Sequence, residues 1–211
     1  MEKELLRIFD ENYSPIGTAT REEVHQAGHW HETFHCWVVR THGEHPTIYL
    51  QLRSQQKKDY PGLLDITAAG HLLADESVQD GVREVQEELG IDVTYEELIP
   101  LGVIKYSLTQ GNMIDREMAN VHLCLSDIIF DDFKPQLEEV EGIMAADWDD
   151  FRRLWLGETS EITARGFMVD SSGARTAVHR QIGQKDFAPH ENGYYTQIID
   201  LISAQLREAN K

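Results

Sequence analysis

The sequence predicts an α/β fold in which a mixed sheet is packed between helices, and three observations carry the prediction. Apolar runs of strand length recur before one well-delimited helix, similar runs recur after it, and an amphipathic helix closes the chain. The 211 residues suit a single domain spanning 1–211, and 41% hydrophobic with 27% charged residues is the balance of an ordinary globular protein.

The segment from Leu5 to Ile16 reads as an opening hairpin, because the polar cluster from Asp10 to Asn12 separates two apolar stretches. Thr20 and Glu23 form a capping box for a short helix that Gly28 ends. Two strands follow, from Thr33 to Arg40 and from Thr47 to Arg53. The next helix is the clearest element. Ser77 is its N-cap with Asp80 three residues on, Gly90 stands where a left-handed C-terminal cap is needed, and Val78, Val82, Val85 and Leu89 form one apolar stripe.

Beyond it, Leu98 to Leu108 and Met113 to Leu125 read as paired strands around the turn TQGN, and Asp149 to Leu156 as a helix. Residues 157–192 have scattered charge and weak periodicity, so they read as loops with at most short elements and as a candidate specificity insertion. Tyr195, Ile198, Ile199, Ile202 and Leu206 have helical spacing and give a terminal helix over 194–209.

The formal net charge of -18 argues against nucleic acid and anionic lipid as partners, since both require clustered Lys and Arg. Cys36 and Cys124 lie in apolar runs without a CxxC partner, which fits a reducing compartment better than a disulfide framework or zinc knuckle. The first residues lack an apolar core of signal-peptide length and no run of about 18 apolar residues occurs, so a cytoplasmic protein without a membrane span is expected.

On the central helix Glu84, Glu87 and Glu88 fall within roughly a 100° arc opposite the valine stripe. A solvated acidic face is the ordinary reading, because like charges at this spacing cost only a few tenths of a kcal/mol per pair. The string REVQEELGI at 83–91 weighs against it, since chance produces such a string in a chain of this length only about once in a hundred thousand. This string resembles the core of the Nudix box, and Gly70 with Glu76 resembles its upstream part. Six residues, Ser77 to Val82, separate Glu76 from Arg83, one fewer than in the family pattern. Either Glu76 keeps its place across a tighter turn, or Asp75 replaces it with Ala69 in place of the glycine.

The resemblance implies a Nudix α/β/α sandwich with a mixed sheet and a C-terminal helix, and hydrolysis of a diphosphate linkage in a nucleoside diphosphate derivative or a related diphosphate. It also implies a Mg²⁺ cofactor, with Mn²⁺ as a substitute, held by Glu84, Glu87, Glu88 and the carbonyl of Gly70, with Arg83 orienting Glu84. Hard Mg²⁺ prefers such oxygen ligands, neutralises a diphosphate and lowers the pKa of bound water. A local cation would also offset the acidic surface for an anionic substrate. Glu117 is the expected further ligand or base, and Arg53, ahead of Lys57 and Lys58, the expected phosphate contact. A homodimer is the assembly to be considered.

Over roughly residues 5 to 150 the sequence leans toward the branch related to isopentenyl-diphosphate isomerase, through IGTATREEVHQAG and LQLRSQQKKDYPGLLDITAAGH. That isomerase uses a cysteine directly before its Gly-His pair, where this chain has Ala69, so isomerisation is disfavoured. A noncatalytic nucleotide-binding module is the third reading, opposed by the intact glutamate triplet. In the same branch histidines and acidic residues surround a metal, and His25, His31, His71, Asp115 and Glu117 match them. Dispersed polar histidines are the commoner outcome for such residues, as core burial is for Trp30, Trp37, Trp148 and Trp155 and solvation for Glu138, Glu139 and Glu141, whereas for Glu117 an exposed edge pair or a Lys105 ion pair stands level with the functional reading.

Overall fold

Eleven extended residues, Trp30–Arg40, form the strand around which the molecule is organised (β3, after β1 at Leu5–Phe9, β2 at Pro15–Thr20 and helix α1 at Arg21–Ala27). In the computed structural model, which describes residues 4–111, 113–191 and 193–209, β3 is buried along nearly its whole length. It pairs antiparallel with β1, with β4 (Thr47–Arg53) and with β6 (Ala68–His71), and parallel with β8 (Met113–Ser126). β5 (Leu64–Asp65) pairs with β4, and β7 (Ile99–Gln110) forms a hairpin with β8. The turn of that hairpin reaches Asn112, which lies outside the described residues. β4 continues through β9 (Val140–Asp147) to β10 (Ile162–Val169) and β11 (Arg175–Ile182), giving one mixed sheet.

Alternation along β3 sends its side chains to two cores. Trp37 and Val39 enter the cluster capped by α3 (Trp148–Trp155) and α4 (Tyr194–Ala209), whereas Phe34, Cys36 and Val38 meet Val85 and Leu89 of α2 (Arg83–Leu89) on the other face. The result is the helix, sheet, helix sandwich expected. Thr20 and Glu23 make the capping box, the opening hairpin forms, and α4 has the bounds its periodicity gave. Trp37 and Trp148 are core residues, while Trp30 lies between the Lys105 and Arg116 cations. Among the described residues no helix is long and apolar enough to cross a membrane.

Residues 157–192 depart from the loops expected, because they contain the β10–β11 hairpin. Burial alternates at Ile162 and Ala164 but breaks at Gly166, and edge strand β11 buries only Ile182, so neither strand carries a sustained period-two pattern. The central helix also starts later than its cap suggests. Ser77 donates from its N–H and Oγ to Asp80 Oδ2 at 2.8 and 2.6 Å, a 3-10 turn covers Asp80–Val82, and the α-helix begins at Arg83. Gly90 ends it with φ 67°, the left-handed cap conformation.

Gly81 sets how closely this turn lies on β3. A Cβ there would stand 2.6 Å from the Phe34 ring and 2.8 Å from Leu72, so a larger residue must push the helix start off the sheet. Gly81→Ala is expected to destabilise the protein by about 1–3 kcal/mol. Urea unfolding checks this as a lower midpoint at constant slope; an unchanged midpoint would show that the contact is slack.

Candidate active site

The one-residue-short loop is closed by side chains. Glu76 receives Arg83 Nε and Nη2 at 2.5 and 2.9 Å and also accepts the Leu73 N–H, so Glu76 keeps its place and the alternative through Asp75 falls away. Arg83 further donates to Glu84 at 2.6 Å, Glu87 at 3.0 Å and the His71 carbonyl at 3.1 Å. All five of its N–H hydrogens are thereby engaged, which makes it a positioning residue. The neighbouring carboxylates, Glu76 first, hold it cationic.

Glu84 packs directly on Gly70, where any Cβ would overlap its carboxylate. Glu88 accepts from the Ala69 N–H at 3.0 Å and from Gln51 Nε2 at 3.3 Å. Both are buried, roofed by β6 and β4, so the polar face of the helix is a cavity wall. Burial raises Glu84 to about 7, with Glu87 adding to the effect, and burial with the Glu84 charge raises Glu88 to about 8. Glu87 differs. Its side chain is 54% exposed and turned to Arg83, so the three glutamates do not converge as a unit.

Across the cavity a second set does converge. His25 comes from α1, His31 from β3, His71 from the end of β6, and Asp115 and Glu117 from β8; the parallel register sets His31 beside Glu117, while the antiparallel one sets His71 beside Thr33. Donor atoms of His25, His31 and His71 lie within 4.8 Å of one another, as do those of His31, Asp115 and Glu117. Dispersed histidines are thus not what the fold produces. His31 Nε2, His71 Nε2 and Asp115 Oδ1 are buried and have no hydrogen-bond partner among the described residues. Burial holds His31 down to about 4 and His71 well below the usual range, leaving lone pairs on neutral rings. Unpartnered lone pairs facing carboxylates are what a divalent cation requires.

Glu117 does not pair with Lys105, which faces Met118 and donates to the Glu11 carbonyl. Its Oε2 accepts from Tyr106 at 2.5 Å, Thr33 at 2.9 Å and His35 Nε2 at 3.2 Å. Burial opposes its ionisation, but the hydrogen bond from His35 leads the effects that keep the carboxyl well below the usual range. Asp115 is pushed the other way by burial and the Glu117 charge. His35 Nδ1 continues the network to the Tyr194 hydroxyl at 2.8 Å.

Both sets, with His31 just behind the wall, meet at one cavity of about 600 Å³ that Arg53, Lys57, Asp65 and Glu139 also line. Arg53 donates to Asp65 at 2.8 Å and to the Asp59 carbonyl at 3.2 and 2.8 Å, leaving two hydrogens for a ligand. Lys57 pairs with Glu139, which is therefore part of the site wall and not a solvated run. Thr33, Tyr106, Asp65 and His190 are site residues that carry no motif, and only strand register and the return of the last loop bring them in.

The sequence matches the family profile described as the NUDIX domain over residues 29–167. It is 38% identical over 199 residues to an uncharacterized Nudix hydrolase of Clostridium acetobutylicum, covering 94% of this chain and 97% of that one. An isopentenyl-diphosphate Delta-isomerase of Saccharopolyspora erythraea is 28% identical over 159 residues, 74% of this chain and 78% of the relative. Among solved structures, a MutT/nudix family protein from Enterococcus faecalis superposes with a TM-score of 0.53 at 12% identity, over 83% of this chain and 62% of that one, a likeness of fold. With the box residues gathered on one cavity wall and the profile spanning the greater part of the sheet, the chain belongs to the Nudix family and, at that level, is a hydrolase of pyrophosphate linkages.

Proposed function

We propose that the chain is a Mg²⁺-dependent hydrolase, with Mn²⁺ as a substitute, of a diphosphate linkage in a nucleoside diphosphate derivative or related diphosphate. The observation that carries this reading is the placement of two oxygen- and nitrogen-rich ligand sets at one cavity, one of them with orphaned donor atoms. Glu84, Glu88 and the backbone of Gly70, with Glu87 reaching from the rim, would hold one cation; His25, His31, His71, Asp115 and Glu117 would hold another. Such cations neutralise the diphosphate and lower the pKa of a bound water.

The remaining work falls to the chain's own groups. Arg83 keeps the Glu84 carboxylate against Gly70. Tyr106, Thr33 and His35 keep Glu117 ionised and aimed, so that it can take a proton from an attacking water. Arg53, steadied by Asp65, offers its two remaining hydrogens to a phosphoryl oxygen. No thiol lines the cavity: Ala69 occupies the position of the isomerase cysteine, and Cys36 and Cys124 are buried elsewhere. Hydrolysis is favoured over isomerisation on that ground, and a panel of nucleotide sugars, dinucleotides, ADP-ribose and nucleoside triphosphates with Mg²⁺ tests it.

Glu84→Gln and Glu88→Gln should each abolish most turnover. Because the carboxylates are buried and repel each other, the metal-free variants should be at least as stable as the parent, while the rise in Tm on adding Mg²⁺ is lost. Turnover within twofold of the parent in both variants would sink the metal assignment. Isopentenyl diphosphate should yield no dimethylallyl diphosphate above the enzyme concentration; multiple turnovers would reinstate the isomerase reading and require an acid other than a thiol.

Glu117→Gln should lower kcat by about 10² to 10⁴ with KM nearly unchanged. A fall in kcat below threefold, accompanied only by a shift in Tm, would make Glu117 structural.

A further inference from the structure

Two polar atoms lining the cavity belong to neither ligand set and have no partner among the described residues: the Tyr60 hydroxyl and His190 Nδ1. A buried polar atom left unpaired loses its hydration without compensation, so a native protein seldom keeps one without a ligand or water to meet it. Here the two flank the same buried pair. Arg53 binds the carbonyl of Asp59, next to Tyr60, and the carboxylate of Asp65; the other oxygen of Asp65 lies 3.1 Å from His190 Nε2.

That last contact settles the tautomer. Asp65 also accepts the Ile66 N–H, and although burial opposes its charge, His190 and Arg53 hold its carboxyl well below the usual range. A carboxylate only accepts, so Nε2 carries a hydrogen, and the tautomer with its single hydrogen there turns an Nδ1 lone pair to the cavity. The ring cannot turn away. It is stacked on Tyr194 with centroids 4.6 Å apart and meets the edges of Tyr106 and Tyr195, leaving its side chain 9% exposed. Tyr60 is comparably constrained, in the left-handed region at φ 52°, with Asp115, Asp59, Arg53 and Asp65 as the charges acting on its phenol.

The walls around these atoms mix polar and apolar groups, with Ile66, Ala188 and Pro189 beside Thr33, His35 and Tyr106. Thr33, His35 and Tyr106 spend their hydrogen bonds on Glu117 and Tyr194, so the Tyr60 hydroxyl and His190 Nδ1 remain to meet a ligand. We propose that Tyr60 and His190 form a recognition subsite for the part of the substrate beyond its phosphates, taking a hydroxyl-bearing group of the sugar type, with His190 Nδ1 accepting from one hydroxyl and Tyr60 pairing with another. This rests on the hydrolase reading and narrows its substrate class. Asp65 acts here as a positioning residue.

Calorimetric binding of ADP-ribose and of isopentenyl diphosphate, with Ca²⁺ in place of Mg²⁺ to limit turnover, tests the subsite in the full-length protein. The parent should bind ADP-ribose at least tenfold more tightly. Tyr60→Phe and His190→Ala should each weaken ADP-ribose about tenfold and leave isopentenyl diphosphate within twofold, and His190→Gln, which restores an acceptor, should recover part of the loss. Equal losses for both probes, no loss for either variant, no binding of either probe, or a parent preference for isopentenyl diphosphate would overturn the subsite. The Mg²⁺-induced rise in Tm is the control. Its absence from the parent would count against the metal reading, whereas its persistence in variants that lose discrimination places the effect outside the metal site.

Discussion

The parallel pairing of β3 with β8 is the constraint on which the site depends. A parallel ladder holds residues of distant chain segments abreast, here His31 beside Glu117 and Thr33 beside Ala119, and the β7 hairpin then sets Tyr106 beside Glu117. A slip of one residue would turn His31, Thr33 and His35 to the opposite face, into the core that Phe34 and Cys36 now occupy. The hydrophobic alternation of β3 therefore secures the register of the cavity residues as a by-product of packing. α2 needs less from the sheet, since Val85 and Leu89 press it down and Arg83 ties its first turn back to the loop.

Electrostatically the cavity contains more negative charge than its cations can balance. Arg83 and Lys57 are committed to glutamates and Arg53 to Asp65, while Glu84 and Glu88 retain protons near neutrality because burial denies them water. The acidic character of the whole chain, -18 in formal charge, thus continues into its interior. Such an interior disfavours an anion that arrives without a counter-charge.

The central helix was legible because a nine-residue string and a stripe of valines mark both the family and the buried side. The burial of Glu84 and Glu88 was not, since helical geometry says only that they oppose Val85 and cannot say that β6 and Gln51 lie over them. The histidine set was countable in the sequence, but its closure needs two strand registers and the docking of α1 at once. β10 and β11 escaped detection for a different reason: an edge strand exposed on both faces has no hydrophobic period to read.

His190 and Tyr194 come late in the chain yet hold on to Asp65 and His35, which come early. Chains emerge from the ribosome in order, and the cavity-lining groups up to Glu117 are synthesised well before the segment that walls them in. A nascent chain can therefore lay down the strands through β9 while its cavity stays open on one side. The pocket is finished only when His190 and Tyr194 dock against Asp65 and His35.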